Sequence, residues 1–324
     1  MFLFTVTQNQ LLRKVSLGLK MECKLCSSKK IRPLFVAGDT HGRKELSTSQ
    51  FIIYECSKCN VTYTDIDINK YYYKQYYLKD YYIEETKNPF LKAVSNLIFR
   101  LSLGRQLKLI KKFKPKGNKI LEIGCAKGDV LNTLPDIYEK YGVEINKDAV
   151  RYIKEHYPDI KIYGRKIDDP RFKCTTKFDV IIMWHVVEHI ENPYSFFKSV
   201  IKLLAEDGVI IFEIPNRDSL GFNFTKSCWF HLDAPRHLFF YNYRCLDKML
   251  EKYGLKINCY LGDPIDYFQD LSMSLFKKFG SDNFFSKLFS FIFVIPSAIL
   301  LRLLFSLFYP KIAEVNTYVV RRMK

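Results

Sequence analysis

The chain of 324 residues has few acidic side chains and few paired cysteines. Asp and Glu number 34 against 51 Lys and Arg, so the net charge of +17 favours an anionic partner over a neutral one. Of nine cysteines, two pairs are closely spaced, which argues against a disulfide framework and for a reducing, cytoplasmic compartment. An apolar content of 48% argues against disorder, and the length predicts two domains.

The amino-terminal stretch lacks the features of a secretory signal. Residues 1–20 hold an apolar patch, but no Lys or Arg precedes it and no small-residue cleavage site follows it. We expect these residues to be a non-native leader and translation to start at Met21, where MECKLC opens into the first cysteine pair. A native amino terminus at Met1 would contradict this expectation.

Short apolar runs alternate with helical segments from Lys119 onward, which is typical of parallel strands joined by crossover helices. Strands are predicted at 119–124, 140–145, 159–164, 178–184, 209–214, 255–260 and 315–320. Helices are predicted over 89–113, from Asn192 to Gly208 and between Asn242 and Gly254. The fold class is therefore α/β, a Rossmann-like doubly wound sheet of seven strands.

The turn after the first of these strands reads EIGCAKG and lacks a dinucleotide fingerprint. That fingerprint needs glycine at 124, 126 and 129, but Ala126 and Asp129 stand at two of these positions, which weakens a pyrophosphate-binding interpretation. Glu144 ends the second strand, 22 residues after Glu122, where a carboxylate can accept both hydroxyls of an adenosine ribose.

The ordered set LEIGCAKG, VEIN, IDD, FDVIIMWHVVEHI and LLAEDGVIIFEIPN resembles the class I S-adenosylmethionine-dependent methyltransferases over roughly residues 119–260. The resemblance implies S-adenosylmethionine as cofactor. The residues that would bind it are Glu122, Gly124, Cys125 and Gly128 around the methionine portion, Glu144 at the ribose, Ile167 or Asp168 at the adenine, and Trp184 and His185 at the pocket border. A Rossmann-like domain that binds another nucleotide, or none, is the alternative.

Two clusters beyond strand ends could remove a proton from the acceptor. The first is Glu188 with His189, for which a structural role as local caps is the favoured alternative. The second is the loop 228–241, where His237 is the first choice for a general base because histidine titrates near neutral pH. A structural role for His237 stands beside that hypothesis.

The EH pair and the WxxxDxPRHL-like loop are also similar to methyltransferases of bacterial surface-sugar and secondary-metabolite pathways, some of which carry an amino-terminal zinc ribbon. This similarity implies a sugar or lipid-linked glycan as acceptor. The alternatives are a quinone-type or other lipid O-methyltransferase, a zinc-ribbon RNA-binding protein and an inactive scaffold. Nucleic acid is less favoured because the basic residues are scattered.

Each CxxC pair can direct two thiolates at one ion, so two pairs predict a structural Zn²⁺ site. Its ligands would be Cys23, Cys26, Cys56 and Cys59. A redox-active pair is the rival interpretation, but the sequence lacks the thioredoxin-like succession of strand, CxxC and helix.

An apolar insertion precedes the last predicted strand. Only 14 residues separate Lys287 from Arg302, with Pro296 between them, which is short for a membrane-spanning helix. We expect 284–309 either to dip into the inner face of the membrane as a peripheral contact or to form a lid or dimer surface. The predicted regions are a leader (1–20), a zinc-ribbon module (21–67), a Tyr-rich linker and helix (68–117), a methyltransferase domain (118–263 and 311–324) and a hydrophobic helical insertion (264–310).

Overall fold

The computed structural model describes residues 22–38, 50–69, 71–77, 89–113, 117–262, 270–279 and 310–323, with positions 300 and 304. The chain divides into two compact units. The first comprises residues 1–86, 215–245 and 262–315, and the second comprises 87–214, 246–261 and 316–324. The predicted leader and most of the predicted insertion, including nearly all of 284–309, lie outside the described residues.

The strands of the described chain are β1 (Ile31–Ala37), β2 (Phe51–Cys56), β3 (Thr62–Thr64), β4 (Lys119–Ile123), β5 (Glu139–Val143), β6 (Lys161–Tyr163), β7 (Phe178–Trp184), β8 (Leu204–Pro215), β9 (Phe239–Phe240), β10 (Leu255–Gly262) and β11 (Val315–Arg322). The α-helices are α1 (Tyr72–Tyr76), α2 (Pro89–Phe113), α3 (Asp129–Thr133), α4 (Lys147–His156), α5 (Pro193–Leu203), α6 (Leu220–Thr225), α7 (Tyr243–Glu251) and α8 (Asp270–Phe279). The seven strands predicted for the main sheet are all present.

The second unit is built on the seven-stranded sheet, in the order β10-β11-β8-β7-β4-β5-β6. Strands β4, β5, β6, β7 and β8 pair in parallel. The predicted α/β, Rossmann-like sheet is thus confirmed. From β4 the chain runs outward through β5 to β6, and it then returns to place β7 on the other side of β4. The topological switch point therefore lies between β4 and β7, where doubly wound folds bind ligands.

Local signals explain most helix boundaries in this unit. Asn146 caps α4, because its side chain accepts from the backbone N–H groups of Asp148 and Ala149. Asn192 caps α5 in the same way, and Pro193 occupies the first helical position. The predicted end of this helix at Gly208 is wrong. Helix α5 ends at Leu203, because Leu204 is extended and already pairs with the first residue of β7.

Both faces of this sheet are buried, since Leu121, Ile181 and Ile210 are fully buried on one face and a second cluster of the core fills the other. Its buried members on the sheet include Ile120, Val180, Ile182, Val209 and Ile211. These residues alternate along their strands, and residues two apart in a strand share a face. The same face continues to the carboxyl ends of β4 and β7. The packed core therefore fixes the positions of the side chains on that face at the strand ends, Glu122 and Trp184.

The first unit contains a four-stranded sheet in the order β1-β2-β3-β9. The loop that follows β8 supplies β9, which pairs antiparallel with β3. Buried aromatic and aliphatic residues surround this pairing, with Phe222, Trp229 and Phe240 at their centre. Within the part of the chain that the structure describes, no helix is both long enough and apolar enough to cross a bilayer.

Candidate active site

The turn after β4 places three residues in left-handed backbone conformations. Gly124 has φ of 75°, Ala126 of 46° and Gly128 of 80°. Glycine adopts positive φ at little cost, whereas alanine does so with strain. Gly124 has a second constraint, because a Cβ placed there would lie 2.5 Å from Val186 Cγ2. The turn is therefore a tight backbone cradle at the switch point, and Gly128 ends it as the N-cap of α3.

Glu144 binds this cradle from the end of β5. Its carboxylate accepts hydrogen bonds from the N–H groups of Ala126 at 3.0 Å, Ile145 at 2.7 Å and Asn146 at 2.8 Å. The residue is 4% exposed, and burial raises the pKa of its carboxyl group, a rise that the three N–H groups only partly offset. The sequence-predicted ribose ligand is thus a carboxylate held rigidly beside the turn.

Glu122 and Trp184 each bring a buried polar atom to the same face of the sheet. Glu122 pairs with Ile182 across β4 and β7, and Trp184 lies two residues beyond Ile182. Neither Glu122 Oε2 nor Trp184 Nε1 has a hydrogen-bond partner among the described residues. Burial, helped by the charges of Asp129 and Glu144, raises the pKa of Glu122 to about 8.

The remaining predicted donor-site residues lie in the turn after β4 and in the loop after β6. Cys125 is buried, and its N–H donates to Val143 O at 3.2 Å. Ile167 is 6% exposed, while Asp168 follows it at the surface side of the loop between β6 and β7. Lys127 Nζ lies 5.6 Å from the centre of the Tyr152 ring on α4. The cation therefore contacts an aromatic face of the neighbouring helix.

His185 follows β7 and contacts two buried carboxylates. Its Nδ1 is 3.2 Å from Glu188 Oε1, and its Nε2 is 3.6 Å from Glu213 Oε1. Burial disfavours the imidazolium, but the two carboxylates outweigh that effect and raise the pKa of His185 to about 10. The residue itself has φ of 54°.

Glu213, at the end of β8, belongs to the site but was not among the predicted site residues. Its Oε2 accepts from Arg105 Nη1 on α2 at 2.8 Å and from Thr317 Oγ1 on β11 at 2.6 Å. Burial opposes its ionisation, but His185 and Arg105 prevail and lower the pKa of Glu213 to about 2. The signal that could have found it is a carboxylate ending an apolar strand, as in Glu122. Arg105 had no comparable local signal.

Glu188 and His189 form a short 3-10 turn, residues 187–189, directly after His185. Glu188 is 1% exposed and bonds to His185 rather than capping a helix. Glu188 therefore already has an ionic partner, His185. The roles of Glu188 and His189 in proton removal remain predictions.

The predicted acceptor loop, residues 228–241, lies in the first unit and is rich in buried charge. Asp233 and Arg236 form a buried pair with a shortest contact of 2.9 Å. His231 Nε2 contacts Asp270 Oδ2 of α8 at 2.6 Å. His237 Nδ1 lies 2.7 Å from His231 O. Because a carbonyl oxygen can only accept, Nδ1 of His237 carries a proton, and its Nε2 lies 3.8 Å from Asp233 Oδ2.

Four cysteines cluster beside the small sheet of the first unit, as their spacing predicted. The Sγ atoms of Cys23 and Cys59, and those of Cys26 and Cys56, are 3.7 Å apart. All four lie within 4.8 Å of one another. Zinc–sulfur bonds of about 2.3 Å in a tetrahedron give sulfur–sulfur distances of about 3.8 Å. A disulfide would need about 2.05 Å, so the arrangement fits a metal site and not a pair of disulfides.

The backbone around the cluster repeats in both pairs. Ser27 N–H donates to Cys23 O at 2.8 Å, and Asn60 N–H donates to Cys56 O at the same distance. Ser27 and Asn60 both have positive φ. Two equivalent turns thus direct four thiols at one point, which is the geometry of paired zinc knuckles.

Comparison with known proteins identifies the family of the second unit's main sheet. A family profile described as "Methyltransferase domain" matches residues 98–260, half of the chain. The chain belongs to this family of methyltransferase domains.

Individual relatives are distant. A ubiquinone biosynthesis O-methyltransferase of Glaesserella parasuis is 30% identical over 115 residues, which are 33% of this chain and 49% of the relative. One from Proteus mirabilis is 25% identical over 36% of this chain and 46% of the relative. The chain thus spans about half the length of these curated relatives. The O-methyltransferase of a Brevibacillus brevis polyketide synthase, solved with S-adenosyl-L-homocysteine, aligns over 73% of this chain and 77% of its own at 16% identity, with a TM-score of 0.46.

Proposed function

We propose that this chain transfers the methyl group of S-adenosylmethionine to a small-molecule acceptor, with the donor bound at the carboxyl edge of the seven-stranded sheet. The observation that carries the proposal is the pair of buried polar atoms without partners, Glu122 Oε2 and Trp184 Nε1. Leaving such an atom unsatisfied costs about 1–3 kcal/mol, so both favour a ligand that supplies a donor and an acceptor. The amino-acid portion of S-adenosylmethionine carries an ammonium and a carboxylate.

The remaining residues fit the other parts of the donor. Gly124 and Gly128 allow close approach to the backbone, and Cys125 adds a small buried side chain. Glu144 would accept the ribose hydroxyls, while Ile167 or Asp168 would border the adenine. When bound, the donor supplies a methyl group on a sulfonium, which an aligned nucleophile displaces directly. The protein then needs to orient the acceptor and remove its proton.

For that proton we propose His237, with Glu188 and His189 as the alternatives. The Nδ1–H bond to His231 O makes Nε2 the atom of His237 that would accept the proton, and Asp233 Oδ2, 3.8 Å from Nε2, would stabilise the imidazolium that results. Thr64 Oγ1 also donates to His237 O at 2.7 Å, which anchors the backbone of this residue to β3. A base with a defined tautomer on an anchored backbone is suited to accept a proton from a positioned hydroxyl.

We propose a sugar or lipid-linked glycan as the acceptor. Its methylation would take place in the cytoplasm, with residues 284–309 in peripheral contact with the inner face of the membrane. The basic net charge of +17 supports an anionic sugar derivative or lipid. The second candidate is a quinone-type acceptor, which the names of the curated relatives favour. A glycan and a quinone precursor differ in whether the methylated group is an alcohol or a phenol.

The donor site is tested by calorimetric titration with S-adenosylmethionine and S-adenosylhomocysteine. We expect micromolar binding by the wild type and its loss in Glu144→Ala. The matched control is Glu139→Gln, at the exposed opposite end of the same strand, which should bind as the wild type does. Thermal unfolding verifies that each variant is folded. No binding by folded wild type would refute the proposal.

The acceptor is tested by transfer of a radiolabelled methyl group to nucleotide sugars, polyprenyl-linked sugars and polyprenyl phenols. Labelling of the phenols alone would replace the glycan with the quinone candidate. With an acceptor found, His237→Ala should lower turnover strongly while the Kd for S-adenosylmethionine is unchanged. Unchanged turnover would remove His237 as the base.

We propose Zn²⁺ as a structural cofactor at Cys23, Cys26, Cys56 and Cys59. Four thiolates leave no open coordination position, so the ion would stabilise the small sheet and take no part in methyl transfer. Elemental analysis should find one zinc per chain in the wild type and much less in Cys56→Ser. A full zinc content in Cys56→Ser would contradict the assignment.

A further inference from the structure

A charged network behind the donor site links α2, β7, β8 and β11. Arg105 and Thr317 both donate to Glu213 Oε2, and Arg105 Nη2 donates to Thr317 Oγ1 at 2.6 Å. Glu213 Oε1 faces Nε2 of His185 at 3.6 Å. Glu188 Oε1 faces the other ring nitrogen of His185 at 3.2 Å.

The charge of His185 follows from what its ring nitrogens face. Both face carboxylate oxygens, and an ionised carboxylate can only accept. Glu188 and Glu213 are each 1% exposed, and Arg105 contributes one positive charge. A protonated His185 makes these four side chains neutral as a set and gives each of the two buried carboxylates a cationic partner. A ring nitrogen of His189 also lies within 4.8 Å of Glu188.

The backbone of His185 is constrained by the same network. Its N–H donates to Glu213 O at 3.0 Å, and its φ of 54° is unusual for a residue other than glycine. The next residue is Val186, whose Cγ2 closes against Gly124 of the donor cradle. The network is therefore joined to the cradle through two consecutive residues.

We propose that His185 is a positioning residue, held as an imidazolium between Glu188 and Glu213, which seats Val186 against Gly124 and so sets the width of the donor cradle. This inference rests on the proposed donor site. In this inference His185 takes no part in proton transfer, because neither ring nitrogen is available to accept a proton. Arg105 and Glu213 would then affect donor binding indirectly, by holding His185 in place.

The test uses the zinc-loaded full chain and three variants. His185→Asn removes the charge, and asparagine tolerates positive φ, so the backbone is spared. His185→Asn with Glu188→Gln removes one charge of each sign and restores neutrality. Val186→Ala removes the contact with Gly124 alone. The Kd values for S-adenosylmethionine, which is a cation at sulfur, and for S-adenosylhomocysteine, which is not, are measured by calorimetry.

We expect His185→Asn and Val186→Ala to weaken both ligands equally, by about ten- to hundredfold, which corresponds to a loss of about 1.4–2.8 kcal/mol of binding free energy. The double variant should recover most of the affinity that His185→Asn loses. Unchanged affinity in His185→Asn would overturn the inference. Weakening of one ligand alone would also overturn it, because the effect would then be one of charge on the ligand. No recovery of affinity in the double variant would overturn it too, because the loss would then come from misfolding and not from an unpaired carboxylate.

The charge of His185 is tested without any ligand. Nitrogen-15 NMR of the unliganded protein at pH 7.5 should show both ring nitrogens of His185 protonated. A neutral tautomer at that pH would overturn the inference even if the donor binds. Failure of the wild type to bind S-adenosylmethionine would instead refute the proposed function, and the two failures are thereby distinguished.

Discussion

The pH dependence of stability provides a direct test of the buried carboxyl group at Glu122. Its pKa is raised from the usual range near 4.5 to about 8, chiefly by burial, and the side chain is 3% exposed. Between these two pH values the unfolded chain has lost the proton and the folded chain has kept it. The folded state thus binds one more proton, and raising the pH favours unfolding.

The magnitude follows from the width of that window. Each pH unit inside it should lower the free energy of unfolding by about 1.4 kcal/mol, and the whole window by about 5 kcal/mol. Glu122→Gln removes the titrating group and keeps the shape of the side chain. Relative to this variant, the wild type should lose about 3 kcal/mol between pH 5.5 and 7.5, and the difference should level off above about pH 8.

Urea denaturation followed by circular dichroism measures this difference at several pH values, without donor and with zinc present. Glu139→Gln is the control, because its side chain is 39% exposed at the start of β5, and its stability should run parallel to that of the wild type. Parallel curves for the wild type and Glu122→Gln would refute the reasoning. With S-adenosylmethionine, calorimetry in buffers of different ionisation enthalpy should detect about one proton released near pH 6.5, and none from Glu122→Gln.

Three further outcomes are expected. Removing zinc with a chelator should speed hydrogen exchange in residues 228–241 as well as around the cysteines, because β9 of that loop pairs with β3; fast exchange confined to the cysteine turns would contradict this coupling. Trp229→Phe should lower the free energy of unfolding by about 1–3 kcal/mol, because its indole N–H donates to buried Glu314 at 2.7 Å, and unchanged stability in urea would show that this bond contributes nothing. Glu213→Gln should be less stable than the wild type at pH 7, and the difference should shrink as the pH falls from 4.5 towards 2, where the carboxylate of the wild type gains its proton; a constant difference in acid denaturation would contradict the lowered pKa.

Much of the second unit was readable from sequence because its signals are local. Apolar runs alternating with amphipathic segments predicted all seven strands of the main sheet, and 89–113 was predicted with the bounds that α2 has. Glu144 was predicted as a ligand because it ends the second strand, 22 residues after Glu122, and Glu122 was predicted from the family resemblance. Asn146 and Asn192 marked helix starts for a reason equally local, since each side chain bonds the N–H groups that follow it.

Other features depended on residues far apart in the chain. The end of α5 was misplaced, since pairing of Leu204 with β7 overrides the glycine at 208. Strand β3 of the cysteine region pairs with residues 239–240, and no pattern near either segment predicts that pairing. Arg105 and Glu213 are 108 residues apart, and nothing near either one predicts their ion pair.

The sequence by itself thus determined the order of strands and helices, the glycine turn and the two cysteine pairs, because periodicity, caps and short ligand spacings act within a few residues. The tertiary structure alone decided which carboxylates face His185 and which strand pairs with β3. Both depend on which buried groups come together when distant segments pack, and a buried charge takes its state from those neighbours rather than from its place in the chain.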